Sequence, residues 1–121
     1  RGGRLFDAAA MREQALLCQD WLRAALDQPH AGPTVVVTHF APSLLSADPR
    51  YGRTPGTAGF CNALDDLMPH ADWWLHGHLH CPQHYAVGRC RVRANTLGYA
   101  NKGEQENFRP DALIDLASPA G

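Results

Sequence analysis

The strongest constraint on the fold is an apolar run that ends in alternating histidines. Residues 73–80 read Trp-Trp-Leu-His-Gly-His-Leu-His, and a β-branched run over residues 34–38 is followed directly by His39. Short continuous apolar runs are typical of strands that are buried on both faces of a sheet. We therefore predict two buried strands, over residues 34–38 and 71–75, that carry their histidines to one shared site.

The flanking sequence predicts two helices around these strands. Asp7 is the predicted N-cap of a helix that extends to about Asp27, and a second helix is predicted over residues 60–68. Six residues at helical spacing are expected to form the apolar stripe of the first helix: Met11, Ala15, Cys18, Trp21, Leu22 and Ala25. The chain, 1–121, is expected to form a single mixed α/β domain.

Three further segments complete the predicted order of elements. Residues 83–94 are predicted to form a hairpin that turns at Val87 and Gly88, and residues 113–116 a last strand. Residues 43–59 are rich in Pro, Gly, Ser and Asp, which predicts an irregular surface loop. Loops of this length are often functional.

Composition excludes several classes of protein. A hydrophobic fraction of 45% with a charged fraction of 19% is typical of a globular chain, and a formal net charge of -1 without basic clusters gives no support for nucleic-acid or membrane binding. No apolar run approaches the roughly 20 residues of a membrane span. The four cysteines form no CxxC pair, and a bridge between Cys81 and Cys90 is disfavoured without a secretory context. We expect a cytoplasmic protein.

The spacing of His78 and His80 indicates metal binding. In extended backbone these residues project to the same side with Cα atoms about 6.5–7 Å apart, so they can bind one metal ion or two adjacent ions. His39, at the end of the other strand, is a candidate third ligand, although a packing role is about as common for a single histidine. His76 is interpreted as a buried hydrogen-bonding residue. Imidazole favours transition metals over Ca²⁺ and Mg²⁺.

Two segments carry a family resemblance. Residues 36–43, Val-Val-Thr-His-Phe-Ala-Pro-Ser, and residues 74–80, Trp-Leu-His-Gly-His-Leu-His, closely resemble the last two signature blocks of calcineurin-like metallophosphoesterases. Residues 91–99 and 107–110 look like the tail of bacterial members, with Thr96 where proline is usual. The resemblance covers the chain from the first helix to Leu116.

The resemblance implies a fold and a mechanism. The fold is half of a layered α-β-β-α sandwich, with a mixed sheet and flanking helices. The site holds two divalent transition metals (Mn, Fe, Zn, Ni or Co), with His39 and His78 on one ion and His80 on the other. A metal-bound hydroxide then hydrolyses a phosphomono- or diester substrate. Asn95 is implied near the substrate, although a structural role as a turn residue is equally open.

The family's N-terminal signature blocks are missing from this sequence. No Asp-x-His, Gly-Asp or Gly-Asn-His string occurs, and the histidine that serves the family as general acid belongs to the same blocks. We therefore expect the C-terminal half of such an enzyme, inactive alone and with partial or no metal occupancy. Its apolar sheet surface, including Val35, Val37, Trp73 and Leu75, is expected to be uncovered, which predicts self-association or pairing with the N-terminal half.

Two alternatives remain open at this point. Residues 76–82 superficially fit the His-x-His-x-His-x-x pattern of histidine-triad nucleotide hydrolases, but Gly77 and Pro82 stand where hydrophobic residues are expected. That interpretation also leaves the strand before His39 unexplained. The other alternative is a noncatalytic metal-binding or oligomerising module.

Overall fold

The computed structural model describes residues 2–3 and 5–117, which form one α-helix and a four-stranded mixed sheet. The sequence order of these elements is α1 (Ala8–Leu26), β1 (Val35–Thr38), β2 (Trp73–His76), β3 (Gln83–Val87) and β4 (Cys90–Ala94). Across the sheet the strand order is β1-β2-β4-β3, with β1, β2 and β4 parallel and β3 antiparallel to β4. The predicted α/β class with a mixed sheet is confirmed.

The helix begins where the sequence predicts, but its buried side differs. The Asp7 carboxylate accepts a hydrogen bond of 2.9 Å from the Ala10 amide and so caps the first turn. The predicted apolar stripe is wrong, because Met11 and Trp21 are 53% and 71% exposed. Only Leu22, together with Leu26, packs against the core.

The partner of the helix explains this difference. Arg23 forms an ion pair of 2.8 Å with Asp66, and the Gln19 amide lies 3.4 Å from that of Asn62. The helix therefore lies against the segment that precedes β2. Its contact side is set by this neighbour, since the helical spacing alone does not distinguish one apolar side chain from the next.

The hairpin is confirmed, with a turn one residue later than predicted. Val87 pairs with Cys90, so that Gly88 and Arg89 form a two-residue turn. Gly88 has a φ of 58° at the first central position, which fits the glycine of a type II′ turn.

Two predicted elements are absent from the described residues. Residues 60–67 form no α-helix, because the amides of Asn62 and Leu64 bond at 2.8 Å to the carbonyls of Ala41 and Pro42. A short 3₁₀-helix, Met68–His70, follows. Residues 113–116 form no strand either, and Leu113 is 94% exposed.

The two faces of the sheet are covered unequally. Val36, Trp74 and Val92 are buried in one cluster on one face, on which Leu22 and Leu26 also pack. The prediction that β1 is buried on both faces is wrong, because exposure alternates along the strand and Val37 is 72% exposed.

Two residues near Val37 on the same face are less exposed than expected. Trp73, expected to be uncovered, is buried beneath the guanidinium groups of Arg91 and Arg93, which lie 5.1 and 5.3 Å from its ring. Leu75 is half-buried. Exposed apolar surface on the open face is therefore confined to the side of the sheet where β1 lies.

The predicted surface loop is packed more closely than expected. Two 3₁₀-helices, Leu44–Ser46 and Pro55–Gly59, interrupt it. Its side chains Ser43, Ser46 and Asp48 are buried. Among the described residues, no helix has both the length and the apolar character that crossing a bilayer needs.

Candidate metal centre

The carboxyl ends of β1 and β2 bring two histidine-bearing turns together. The strands are parallel and Thr38 pairs with His76, so that His39 and Gly77 are the next residues at the same edge. The Gly77 amide continues the ladder with a 3.1 Å hydrogen bond to the His39 carbonyl. Ligands of open α/β sheets bind in crevices outside the carboxyl ends of the strands.

His39 and His78 are in direct contact at this edge. Nε2 of His39 lies 3.0 Å from Nδ1 of His78, and the ring centroids are 4.8 Å apart. Two nitrogens that each bind one ion at about 2.0–2.1 Å lie about 2.9–3.4 Å from each other. The observed distance therefore suits both a hydrogen bond between the rings and a shared metal ion.

The backbone at His78 is not extended, in contrast to the spacing argument. β2 ends at His76, and His78 has a φ of 64°, the one positive value among the described non-glycine residues. The Leu79 amide donates a 2.8 Å hydrogen bond to the Gly77 carbonyl across it. A three-residue turn with this hydrogen bond and a positive φ is a γ-turn of the rare, strained kind. Strained backbone conformations cluster at active sites and ligand-binding segments.

The surroundings of His78 favour the neutral form of its ring. Burial lowers the pKa of His78 below its usual range, and the neighbouring His39 and His80 lower it further. Phe60 stacks on the ring at 5.1 Å between centroids with an interplanar angle of 26°. Neutral imidazole is the form that binds a metal ion.

His80 is held by a different partner, which the sequence analysis missed. Its Nδ1 lies 3.0 Å from Oε2 of Glu104, a buried carboxylate, and its ring meets Tyr99 edge to face at 4.5 Å. No hydrogen bond joins His80 to His39 or His78 among the described residues. Across residues 2–3 and 5–117, no group of three or more histidine, cysteine, aspartate or glutamate side chains is placed to hold a metal ion.

Glu104 is itself held by three segments of the chain. Its Oε2 accepts a 2.7 Å hydrogen bond from the Tyr99 amide, and its Oε1 lies 3.2 Å from Arg50. Arg50 also pairs with Asp48 at 2.6 Å. The Tyr99 amide, followed by Arg50 and His80, lowers the pKa of Glu104, so that the carboxylate is charged. The contacts of Glu104 with Arg50 and His80 join distant parts of the chain, which spacing along the sequence does not reveal.

His76 belongs to a separate buried network. Its Nε2 lies 3.0 Å from the Ser46 hydroxyl, which lies 2.6 Å from the Tyr85 hydroxyl, and its Nδ1 lies 3.1 Å from the Gly77 carbonyl. Burial lowers the pKa of His76. His76 is therefore a buried hydrogen-bonding residue beneath the turn that carries His78.

A cavity of 540 Å³ opens beside these histidines. Its volume lies within the range of small-molecule sites. Aromatic rings and one lysine contribute to its wall, together with the two histidines: Tyr51, Phe60, His78, His80, Tyr99 and Lys102. The Lys102 ammonium lies 5.6 Å above the Tyr99 ring. The wall also contains the Asp48 carboxylate, so the cavity is mostly apolar and carries one acidic and one basic side chain besides the histidines.

Asn95 has a structural partner. Its side-chain amide donates a 2.7 Å hydrogen bond to the Arg109 carbonyl, and its oxygen accepts one of 3.0 Å from the Arg109 amide. These bonds join the end of β4 to the C-terminal segment, and a contact with substrate stays a prediction.

All four cysteines are free thiols, and Cys81 accepts a hydrogen bond from Gln83.

Comparisons with known proteins return no match. No protein-family model, curated protein or solved structure matches the chain. The family resemblance therefore depends on its own motifs, above all on the residues around His39 and His78.

Proposed function

We propose that the chain is the C-terminal half of a binuclear phosphoesterase of the calcineurin-like type, which hydrolyses phosphomono- or diesters. One observation carries the proposal: His39 and His78 lie 3.0 Å apart at the ends of adjacent parallel strands, 39 residues apart in the chain. The strained turn at His78 supports it, because the fold maintains a costly backbone conformation at this ring.

The residues present fit part of such a centre. His39 and His78 hold one divalent transition metal (Mn, Fe, Zn, Ni or Co), and Nε2 of His80 contributes to the other. Two ions bound here supply Lewis acidity toward phosphate oxygens and activate water. The cavity beside the histidines receives the ester group, and the Lys102 ammonium attracts the phosphoester anion.

The remaining ligands and the general acid come, in this proposal, from an N-terminal half. The open sheet face around Val37 receives the second sheet of the layered sandwich. The isolated chain is then inactive, binds metal weakly and self-associates through this face. The proposed location is the cytoplasm, and neither nucleic acid nor membrane is a partner.

Metal binding by the chain tests the ligand assignment. Titration with Zn²⁺ or Co²⁺, followed by calorimetry, is expected to show weak binding that falls at least about tenfold, or about 1.4 kcal/mol, in His39→Ala and in His78→Ala. The exposed His30 supplies the matched control, His30→Ala, which should bind as the unmodified chain does. Equal affinities for all four proteins contradict the assignment.

Hydrolysis tests the proposed reaction. The chain alone should not cleave p-nitrophenyl phosphate or bis(p-nitrophenyl) phosphate with Mn²⁺ or Zn²⁺. The full-length product of the gene should cleave one of them, and His78→Ala should abolish that activity. Turnover by the chain alone that depends on His78 shows instead that the ligands assigned to the other half are not needed.

A noncatalytic oligomerising module is the second candidate. The exposure of Val37 and Trp21, at 72% and 71%, favours it, because large apolar side chains outside a core often mark an interaction surface. A full-length product that oligomerises and binds metal but cleaves neither ester supports this alternative. Cleavage of adenosine phosphoramidates in excess EDTA supports the histidine-triad alternative.

A further inference from the structure

Glu104 is a buried carboxylate near the candidate centre that is held by three groups of the chain. It is buried and yet charged, with one oxygen shared between the Tyr99 amide and His80 and the other facing Arg50. Buried carboxylates are costly unless every oxygen is paired, so this arrangement stabilises a defined geometry. Nothing in the proposed reaction accounts for Glu104.

The charge of Glu104 decides which nitrogen of His80 carries the proton. An ionised carboxylate only accepts hydrogen bonds, so that the Nδ1 atom of His80, 3.0 Å from Oε2, must be the donor. The neutral ring then has its lone pair on Nε2. His80 is one of the residues that line the cavity.

The backbone around Glu104 is built to allow this contact. Gly98 has a φ of 66°, and a Cβ added there would overlap the Cβ of Glu104 and lie 2.9 Å from its Oε2. A residue with a side chain at position 98 therefore displaces the carboxylate. Arg50 adds a second support, since it links Glu104 to Asp48 and lies 3.5 Å from the His80 carbonyl.

We propose that Glu104 is the positioning residue of His80: it fixes the ring orientation and the Nδ1–H tautomer, so that Nε2 is presented as a ligand. Carboxylates that accept a hydrogen bond from a ligating histidine raise its basicity, and losing them typically costs about 10–100-fold in metal affinity. The effect on the tautomer is a property of the chain itself. Only the effect on metal affinity rests on the proposed function.

Nuclear magnetic resonance of ¹⁵N-histidine-labelled protein tests the tautomer directly. In the unmodified chain without metal, at a pH where the imidazoles are neutral, His80 is expected as the Nδ1–H form. Glu104→Leu should shift it predominantly to the Nε2–H form, which imidazole prefers in water. Glu106→Leu, at the exposed glutamate two residues along the same 3₁₀-helix, is the matched control and should leave His80 unchanged. Persistence of the Nδ1–H form in Glu104→Leu overturns the proposal.

Glu104→Gln separates positioning from mere packing. With its amide oxygen in place of Oε2, the side chain can still accept from the Tyr99 amide and from His80. Its NH₂ group then replaces Oε1, so Arg50 must turn away from it and keep its pair with Asp48, and the Nδ1–H tautomer should be retained. The proton on Nδ1 should nevertheless move upfield, because a neutral acceptor replaces a charged one. If Glu104→Leu does not fold, this measurement decides: an unchanged Nδ1 proton in Glu104→Gln overturns the proposal.

Zinc affinity extends the test to the proposed function. Glu104→Leu should raise the Zn²⁺ dissociation constant of the full-length protein by about 10–100-fold. Glu104→Gln should retain most of the Zn²⁺ affinity of the unmodified protein. If His80→Ala binds Zn²⁺ as tightly as the unmodified protein, the assignment of His80 as a ligand fails. The tautomer result is unaffected by that outcome, so the two failures are distinguishable.

Discussion

The two faces of the sheet differ in how completely the chain covers them. On the covered face, Val36, Trp74 and Val92 lie in the core, and the Trp74 indole donates a 2.9 Å hydrogen bond to the Thr38 hydroxyl. On the open face, Val37 is largely exposed, and the guanidinium groups of Arg91 and Arg93 lie over the Trp73 ring. Neighbouring residues of one strand therefore have different energetic roles, although the sequence shows one uniform apolar run.

This difference bears on the site as well. The turns that carry His39 and His78 follow β1 and β2 directly, and the buried His76 lies on the same strand face as Trp74. The covered face thus supplies a rigid support for the candidate centre. The open face supplies a surface that a second copy or another segment is expected to cover.

The largest expected effect comes from replacing each of two adjacent tryptophans, one on each face, by alanine. Trp74→Ala is expected to lower the free energy of unfolding by about 3–5 kcal/mol, because it leaves a cavity in the core. Trp73→Ala should cost at least about 1 kcal/mol less, because the two arginines above it can relax into water. Urea unfolding followed by circular dichroism measures both values. Equal losses contradict the inequality of the two faces.

A second pair tests which side of α1 contacts the covered face. Leu22→Ala should lower the free energy of unfolding by about 1–2 kcal/mol, because Leu22 packs against the core cluster. Trp21→Ala should change it by less than about 0.5 kcal/mol, since this side chain is mostly in solvent. The same urea experiment compares them, and a larger loss for Trp21 shows that the helix lies on its other side.

The pH dependence of stability tests the polar end of the covered face. Burial holds the pKa of His76 below its ordinary 6.5, so that the unfolded chain binds a proton more readily as the pH falls through that value. The free energy of unfolding should therefore decrease from pH 7 towards pH 5. In His76→Gln this decrease should be shallower, while the exposed His30→Gln should keep the slope of the unmodified chain. A slope that His76→Gln leaves intact places the acid sensitivity elsewhere.

The smallest expected effect on stability is on the open face. Val37→Lys should change the free energy of unfolding by less than about 0.5 kcal/mol, yet it should weaken self-association, because it places a charge on an exposed edge strand. Light scattering after size-exclusion chromatography, at several protein concentrations, measures the oligomeric state. Val35→Thr, an uncharged substitution at a less exposed position of the same strand, is expected to weaken self-association less than Val37→Lys does. A chain that is monomeric at every concentration removes the prediction of self-association.

Local patterns predicted the elements whose stability is mostly local. The N-cap at Asp7, the hairpin with Gly88 in its turn and the two apolar strands were predicted, because capping, turn geometry and β-branched runs act over a few residues. The proximity of His39 and His78 also follows from a rule, since parallel neighbours end at the same edge. Their role as metal ligands stays a prediction.

Long-range contacts account for the elements that were predicted wrongly. Residues 60–67 have helical spacing, but the amides of Asn62 and Leu64 bond to the segment that follows β1. The prediction that β1 is buried on both faces was wrong, because residues far along the chain would have to cover the second face and do not cover it at β1. The extended geometry expected at His78 failed because the chain turns there, at a φ that few residues with side chains adopt.

The sequence by itself determined the strands, the cap and the hairpin, because these depend on short-range sterics. It also predicted one shared site for the histidines, and the parallel pairing of β1 and β2 brings His39 and His78 to the same edge. Only the tertiary structure decided the partners of each histidine: His39 for His78, Ser46 for His76 and Glu104 for His80. A hydrogen bond needs two atoms within about 3 Å in a defined direction. For residues separated by 24 or more positions, packing of the whole chain fixes that distance, and spacing along the sequence does not.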